Sequence, residues 1–185
     1  MAAEKKSMSI DDAINTRASV RAYSATAVSG AEIDFLLRAA VRAPTAMHSE
    51  PWVFVIIQDR ALLRKIDEAA KSGVLAKAAA AHMLPADFEL FHGAGTLIVI
   101  GTRSAGPFAE ADCWLAAENL MLAATGASLG TCCIGSAVGS LNDPAVKNLI
   151  GLPTGVKFVV PIAVGHPAGE PHPSARRDPE IAAWL

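Results

Sequence analysis

The chain has 185 residues, 52% apolar, 18% charged and 5% aromatic, with a formal net charge of −2. That length fits one domain, 1–185, with a full hydrophobic core, and the charge balance lacks the basic excess expected of a nucleic-acid binder. No apolar run approaches the ~20 residues needed to span a bilayer; the longest, near Ala94–Gly101, is strand-length.

The charged fraction is below the usual ~25%, which points to surface covered by a second subunit. Glu4, Lys5 and Lys6 have no apolar core behind them, so the N-terminus does not read as a signal peptide. The cysteines are Cys113, Cys132 and Cys133. An odd number, two of them adjacent, is a poor disulfide framework, and reduced thiols in a cytoplasmic protein are expected.

Residues 1–8 read as a flexible tail. Ser9 caps a short helix to about Asn15, with Asp11 and Asp12 in its first turn. Arg17-Ala18-Ser19-Val20-Arg21-Ala22-Tyr23 follows. In an extended segment, alternate residues share a face. One face then carries Arg17, Ser19 and Arg21, and the other Ala18, Val20 and Ala22. No carboxylate lies between Ala13 and Tyr23. Guanidinium forks suit phosphate or carboxylate. The pattern alone leaves two readings: an anion cradle, or a solvated edge strand whose arginines pair with distant acids.

Ser29 and Glu32 form a capping box opening a helix to about Arg42, and Pro44 stops it. Residues 44–51 form a polar loop. Trp52–Gln58 is an apolar, β-branched strand. Asp59 caps a helix carrying Leu62, Leu63 and Ile66. An Ala-rich stretch to Met83 either continues it or forms a second helix, and Pro85–Gly93 is a loop. Thr96–Thr102 is the next strand. Ala109–Thr125 is a helix apolar almost all round, interrupted by Asp112, Glu118 and Asn119. Such a helix is buried in a core or a subunit interface. Gly126 is its expected C-cap. Leu129–Gly135 is a short strand or tight turn, and Asn142 or Asp143 caps a helix to Ile150. Val156–Val164 is a further strand, with Pro161 suggesting an edge or a bulge. The extended tail from Gly165 to Leu185 cannot build a core alone. The expected fold is α+β, a mixed and mainly antiparallel sheet flanked by helices.

Walker, Rossmann and His-Glu-x-x-His fingerprints are absent, and His48, His82, His92, His166 and His172 lack metal-ligand spacing. Three polar clusters remain: Arg17/Ser19/Arg21, the loop Pro44–Trp52, and Ser174-Ala175-Arg176-Arg177. The ordered set "RxSxRxY", "APTAMHSEPW" with "VFVI", "ADCWLAAENLMLAATGASLGTCCIG", "FVVPIAVGHP" and a basic tail resembles the nitroreductase family of flavin proteins. The resemblance covers nearly the whole chain.

It implies FMN shared between the subunits of a homodimer, with the C-terminal tail reaching across. Arg17, Ala18, Ser19, Arg21 and either Arg176 or Arg177, Arg176 preferred, would hold the phosphate. Pro44, Thr45, Ala46 and His48 would line the ring and ribityl chain. The backbone of Cys133, Ile134 and Gly135 would pass beside flavin N5. His48 and Glu50 replace the family's usual Asn and Gln, and Ser174 stands where a basic residue is common. Cys132 and Cys133 read as small buried residues, not redox thiols. The implied activity is ping-pong transfer of hydride from NADH or NADPH through flavin N5 to a small acceptor such as a nitroaromatic or quinone. No catalytic side chain, metal, nucleic acid or membrane is implied. The alternatives are another reaction of the same flavin fold (dehalogenation, oxidation or dehydrogenation), or flavin binding without turnover. Residues 76–93 are the limited room for a lid.

Overall fold

A computed structural model describes residues 8–72 and 88–185. Most of the expected N-terminal tail, the Ala-rich stretch and most of the lid region lie outside the described residues.

Helix α1 (Ile10–Thr16) starts where Ser9 Oγ accepts the Asp12 N–H at 3.0 Å. Helix α2 (Gly30–Ala40) opens with the reciprocal Ser29–Glu32 capping box and buries Ile33, Leu36 and Ala40. Strand β1 is Trp52–Ile57. Asp59 then accepts the N–H groups of Ala61 and Leu62 to begin α3 (Arg60–Ser72). Strand β2 (Thr96–Thr102) is buried along its whole length. Next come helix α4 (Ala109–Gly126), strand β3 (Gly130–Cys133) and two short helices, α5 (Val138–Asn142) and α6 (Pro144–Ile150). Asp143 caps α6, and strand β4 (Lys157–Gly165) closes the order.

The strands lie in the order β1-β2-β4-β3, every pair antiparallel. Alternation along β2 and β4 sends Ile98, Ile100, Val160 and Ile162 into one apolar cluster with α2 and α4. Leu97, Val99, Phe158 and Ala163 join a second cluster with residues of α3, α5 and α6. Two cores sandwich one sheet. No helix among the described residues is long and apolar enough to cross a membrane.

The Arg17–Tyr23 segment docks on the free edge of β3. Ser19 bridges Thr131 in parallel, and the Val20 N–H donates to the Thr131 carbonyl at 2.9 Å. This parallel bridge lies outside the named strands, which pair antiparallel throughout. A Cβ on Gly130 would stand 2.7 Å from Val20, and one on Gly165 would stand 2.7 Å from the Tyr23 ring. Two missing side chains therefore let the segment lie flat against the sheet.

Two expectations need correction. Pro161 is not on an edge: β4 lies between β2 and β3. The Pro161 carbonyl accepts the Ile134 N–H at 2.8 Å, so the missing Pro donor points to the same side, where β3 has already ended. The bulge is nearby, at the register shift between Ile100 and Gly101 that leaves Val159 unpaired. Gly126 is not the C-cap of α4. It is the last helical residue, Ala127 is the C-cap, and Ser128 takes φ 62°. The bonds Leu129 N–H to Ala124 O and Ser128 N–H to Thr125 O make a Schellman motif.

The Thr131 hydroxyl is buried and has no hydrogen-bond partner among the described residues. Such a group carries its desolvation cost uncompensated. Thr131→Val is therefore expected to raise stability by about 1 kcal/mol, read from the urea midpoint. An unchanged midpoint would contradict this.

Cys113 is fully buried on α4, and burial, with Asp112 and Glu110 adding to it, pushes its thiol from 9.0 up to about 11. An acid whose folded pKa exceeds its unfolded value keeps its proton in the fold. Its contribution is complete below pH 9 and is lost as pH rises towards 11. The expected loss is about 2–3 kcal/mol over that window. Cys113→Ala should flatten this alkaline limb in urea titrations; a limb of unchanged slope would refute the assignment.

Candidate flavin site

Arg17 is the C-cap of α1, so the chain turns from helix to extended at that residue. Its side chain is 23% exposed, with Nε 3.4 Å from Glu118 Oε1 on α4. Its terminal guanidinium nitrogens have no hydrogen bond among the described residues. Arg21 is exposed and makes one long bond, 3.5 Å, to the Ser19 carbonyl. The Ser19 hydroxyl is exposed and donates to nothing among the described residues. Each of the two readings of this stretch is therefore partly met. One arginine touches a distant acid on one edge nitrogen, and neither Ser19 nor Arg21 has an acidic partner among the described residues. A cleft along Ala18–Ala22 is lined on its other side by Gly169–His172 of the tail.

The second cluster is a loop with an unusual backbone. Ala46–His48 forms a single 3₁₀ turn. Met47, His48 and Glu50 adopt φ of 54°, 55° and 43°, in the left-handed region where side chains are disfavoured. The loop is held from below. Asp112, 3% exposed on the first turn of α4, accepts the Ala46 N–H at 3.2 Å and the Ser49 hydroxyl at 3.5 Å. Thr45 Oγ1 accepts the Glu50 N–H at 3.4 Å. Pro44 and His48 are exposed, and His48 Nε2 lies 3.8 Å from Glu50 Oε1.

Cys133 ends β3, half-buried, with Sγ 3.5 Å from Met121 Sδ. Burial, with Cys132 and Glu118 adding to it and Arg17 opposing, pushes its thiol up to about 11. Burial also raises Cys132. Both are protonated at neutral pH, which fits small packing residues and not redox thiols. Ile134 is buried, whereas Gly135 is exposed and a Cβ there would meet nothing within 4 Å.

Ser19 bridges Thr131 and the Val20 N–H bonds to its carbonyl, two residues before Cys133, so the first and third segments come together. The loop joins them through α4, which carries Asp112 and Glu118. Arg176 and Arg177 are exposed, with no hydrogen bond or ion pair to the Arg17–Arg21 stretch among the described residues. Sequence reasoning missed Asp112 and Glu118 as site residues. Their signal was present, since each is a carboxylate on an otherwise apolar helix.

The nitroreductase family model matches residues 14–166. The chain belongs to the nitroreductase family. An Archaeoglobus fulgidus protein named as a candidate NADH dehydrogenase/NAD(P)H nitroreductase is 32% identical over 158 residues, covering 85% of this chain and 84% of that one. An FMN-bound nitroreductase structure from Bacteroides fragilis shares the fold. Its TM-score is 0.82 at 24% identity, over 96% of this chain and 98% of that one. A shorter match reaches human iodotyrosine deiodinase 1, 39% identical over 62 residues, 34% of this chain and 22% of that one. As a nitroreductase-family member the protein is an oxidoreductase, built on an α+β sheet with its Arg-Ser-Arg stretch on the β3 edge.

Proposed function

We propose that this nitroreductase-family protein binds FMN and oxidises NADH or NADPH at the expense of a small acceptor such as a nitroaromatic or quinone. The observation that carries the reading is the Arg17/Ser19/Arg21 stretch docked beside β3, where Ser19 and Arg21 line a cleft and Arg17 commits only one edge nitrogen to a carboxylate. The donor set suits the group. A phosphate dianion wants several charge-assisted donors, and two guanidinium groups and a hydroxyl are present with only one edge nitrogen committed to a carboxylate. Ala18 leaves the segment's backbone open, and a tail arginine, Arg176 in preference to Arg177, completes the cradle from the partner subunit.

Thr45, Ala46 and His48, following Pro44, flank the ring and ribityl chain on one side. Cys133, Ile134 and Gly135 flank it on the other, where the exposed Gly135 permits close backbone approach. When bound, FMN supplies the two-electron chemistry, and the protein supplies orientation and electrostatics. No side chain serves as a nucleophile. Arg17 and Arg21 keep a positive field at the phosphate end, and the loop and the Cys133–Gly135 backbone fix the ring.

The second subunit is a second copy of this chain. Helix α4 is buried on its inner face but leaves Trp114 49% and Leu115 45% exposed, and neighbouring α1 exposes Ile10 and Ile14. Exposed large apolar side chains on two packed helices fit an interface. The family relation to a deiodinase supports a second reading, reductive dehalogenation of an aromatic at the same site.

Steady-state oxidation of NADH or NADPH, assayed with FMN-loaded protein and menadione or a nitroaromatic, tests the activity. Turnover that requires both reductant and acceptor is expected. Flavin bound but never turned over with either nucleotide would leave a flavin carrier, and iodide release from an iodinated phenol would favour the second reading.

A further inference from the structure

Asp112 is a buried carboxylate without a cation. It is 3% exposed and no ion pair to it occurs among the described residues. Removing a carboxylate from water is costly unless its oxygens are satisfied. Both oxygens are directed at one target, Oδ1 at the Ala46 N–H and Oδ2 at the Ser49 hydroxyl, on either side of the Met47–His48 turn. Those two turn residues, and Glu50 just beyond, sit in left-handed backbone that non-glycine residues disfavour. The turn gains little from its own side chains. Met47 is 96% exposed and the His48 side chain 92%. A strained turn with outward side chains persists only where something else fixes it. Here the fixing group is a side chain of α4, whose residues Cys113, Ala116 and Ala117 are fully buried.

We infer that Asp112 is the positioning residue of the flavin-ring side of the site, holding the Thr45–Ser49 turn in its strained form before any ligand arrives. This rests on the reading of that loop as a flavin wall. Among the described residues the Asp112 side chain hydrogen-bonds only to the loop and not to Arg17, Ser19 or Arg21, so its removal acts on the ring and not on the phosphate. FMN and riboflavin share the ring and differ in the phosphate. Losing Asp112 therefore weakens both by the same factor, whereas losing Arg17 or Arg21 weakens FMN alone.

The test uses full-length wild type, Asp112→Ala, Asp112→Asn and Ser49→Ala, each checked for folding by its thermal midpoint. Amide hydrogen exchange of the flavin-free proteins comes first. In Asp112→Ala, residues 45–50 are expected to exchange at least tenfold faster while β2 and β4 stay protected. Asp112→Asn keeps an oxygen for the Ala46 N–H and should be intermediate, and it serves if the alanine variant does not fold. Ser49→Ala removes one bond from the exposed side and should show a smaller effect of the same kind. FMN and riboflavin affinities come second, with a tenfold or greater loss in Asp112→Ala and an unchanged ratio between the two ligands. Unchanged exchange over 45–50 in folded variants would overturn the inference, and so would a changed ratio with riboflavin binding intact. A wild type that binds neither flavin would fell the flavin reading, and the exchange data would then decide the positioning role alone.

Discussion

Replacing Arg17 and Arg21 together by alanine is expected to weaken FMN binding by roughly 10²–10⁴-fold, because each charge-assisted hydrogen bond contributes about 1.5–3 kcal/mol. The two sites are not equivalent. Arg17 is mostly buried and paired on its edge with Glu118. Arg17→Ala removes a donor and leaves a carboxylate facing the incoming phosphate, so the loss exceeds that of Arg21→Ala. Arg17→Ala/Glu118→Gln should recover part of it. Fluorescence titration with FMN and riboflavin reads the effect directly, since riboflavin affinity stays within about twofold on the same physical grounds. FMN affinity untouched in the double variant would move the phosphate elsewhere.

Trp114→Glu is expected to split the proposed dimer. Trp114 and Leu115 project from the outer face of α4, half exposed in the single chain. Burying each against a partner contributes about 1.5–3 kcal/mol, and a carboxylate placed there reverses the sign. Sedimentation velocity should show a shift from dimer to monomer at micromolar concentration, and flavin retention should fall with it because, in the proposed arrangement, the partner's tail supplies part of the cradle. A dimer that survives both Trp114→Glu and Leu115→Glu would place the interface on another surface.

Much of this was legible in the chain itself. The Ser29–Glu32 capping box, the Asp59 and Asp143 caps and the apolar strands at Trp52 and Thr96 are local signals, and local signals survive folding. Pro161 misled because its rule concerns a missing donor. Whether that donor is needed depends on where β3 ends, which is a non-local fact. The alternating Arg17/Ser19/Arg21 face was readable. Its neighbour Glu118, a hundred residues away, was not, because only packing of α1 on α4 brings them together. Asp112 reads as an interruption in an apolar helix, but its role depends on a turn whose left-handed φ values no glycine announces.

The absorption spectrum of the purified protein, before and after anaerobic NADH or NADPH, tests the central claim most directly. Visible flavin bands that bleach on addition of the nucleotide are the predicted result. Colourless protein that takes up no added FMN would contradict it, and would mean that the donors along β3 serve some other anion.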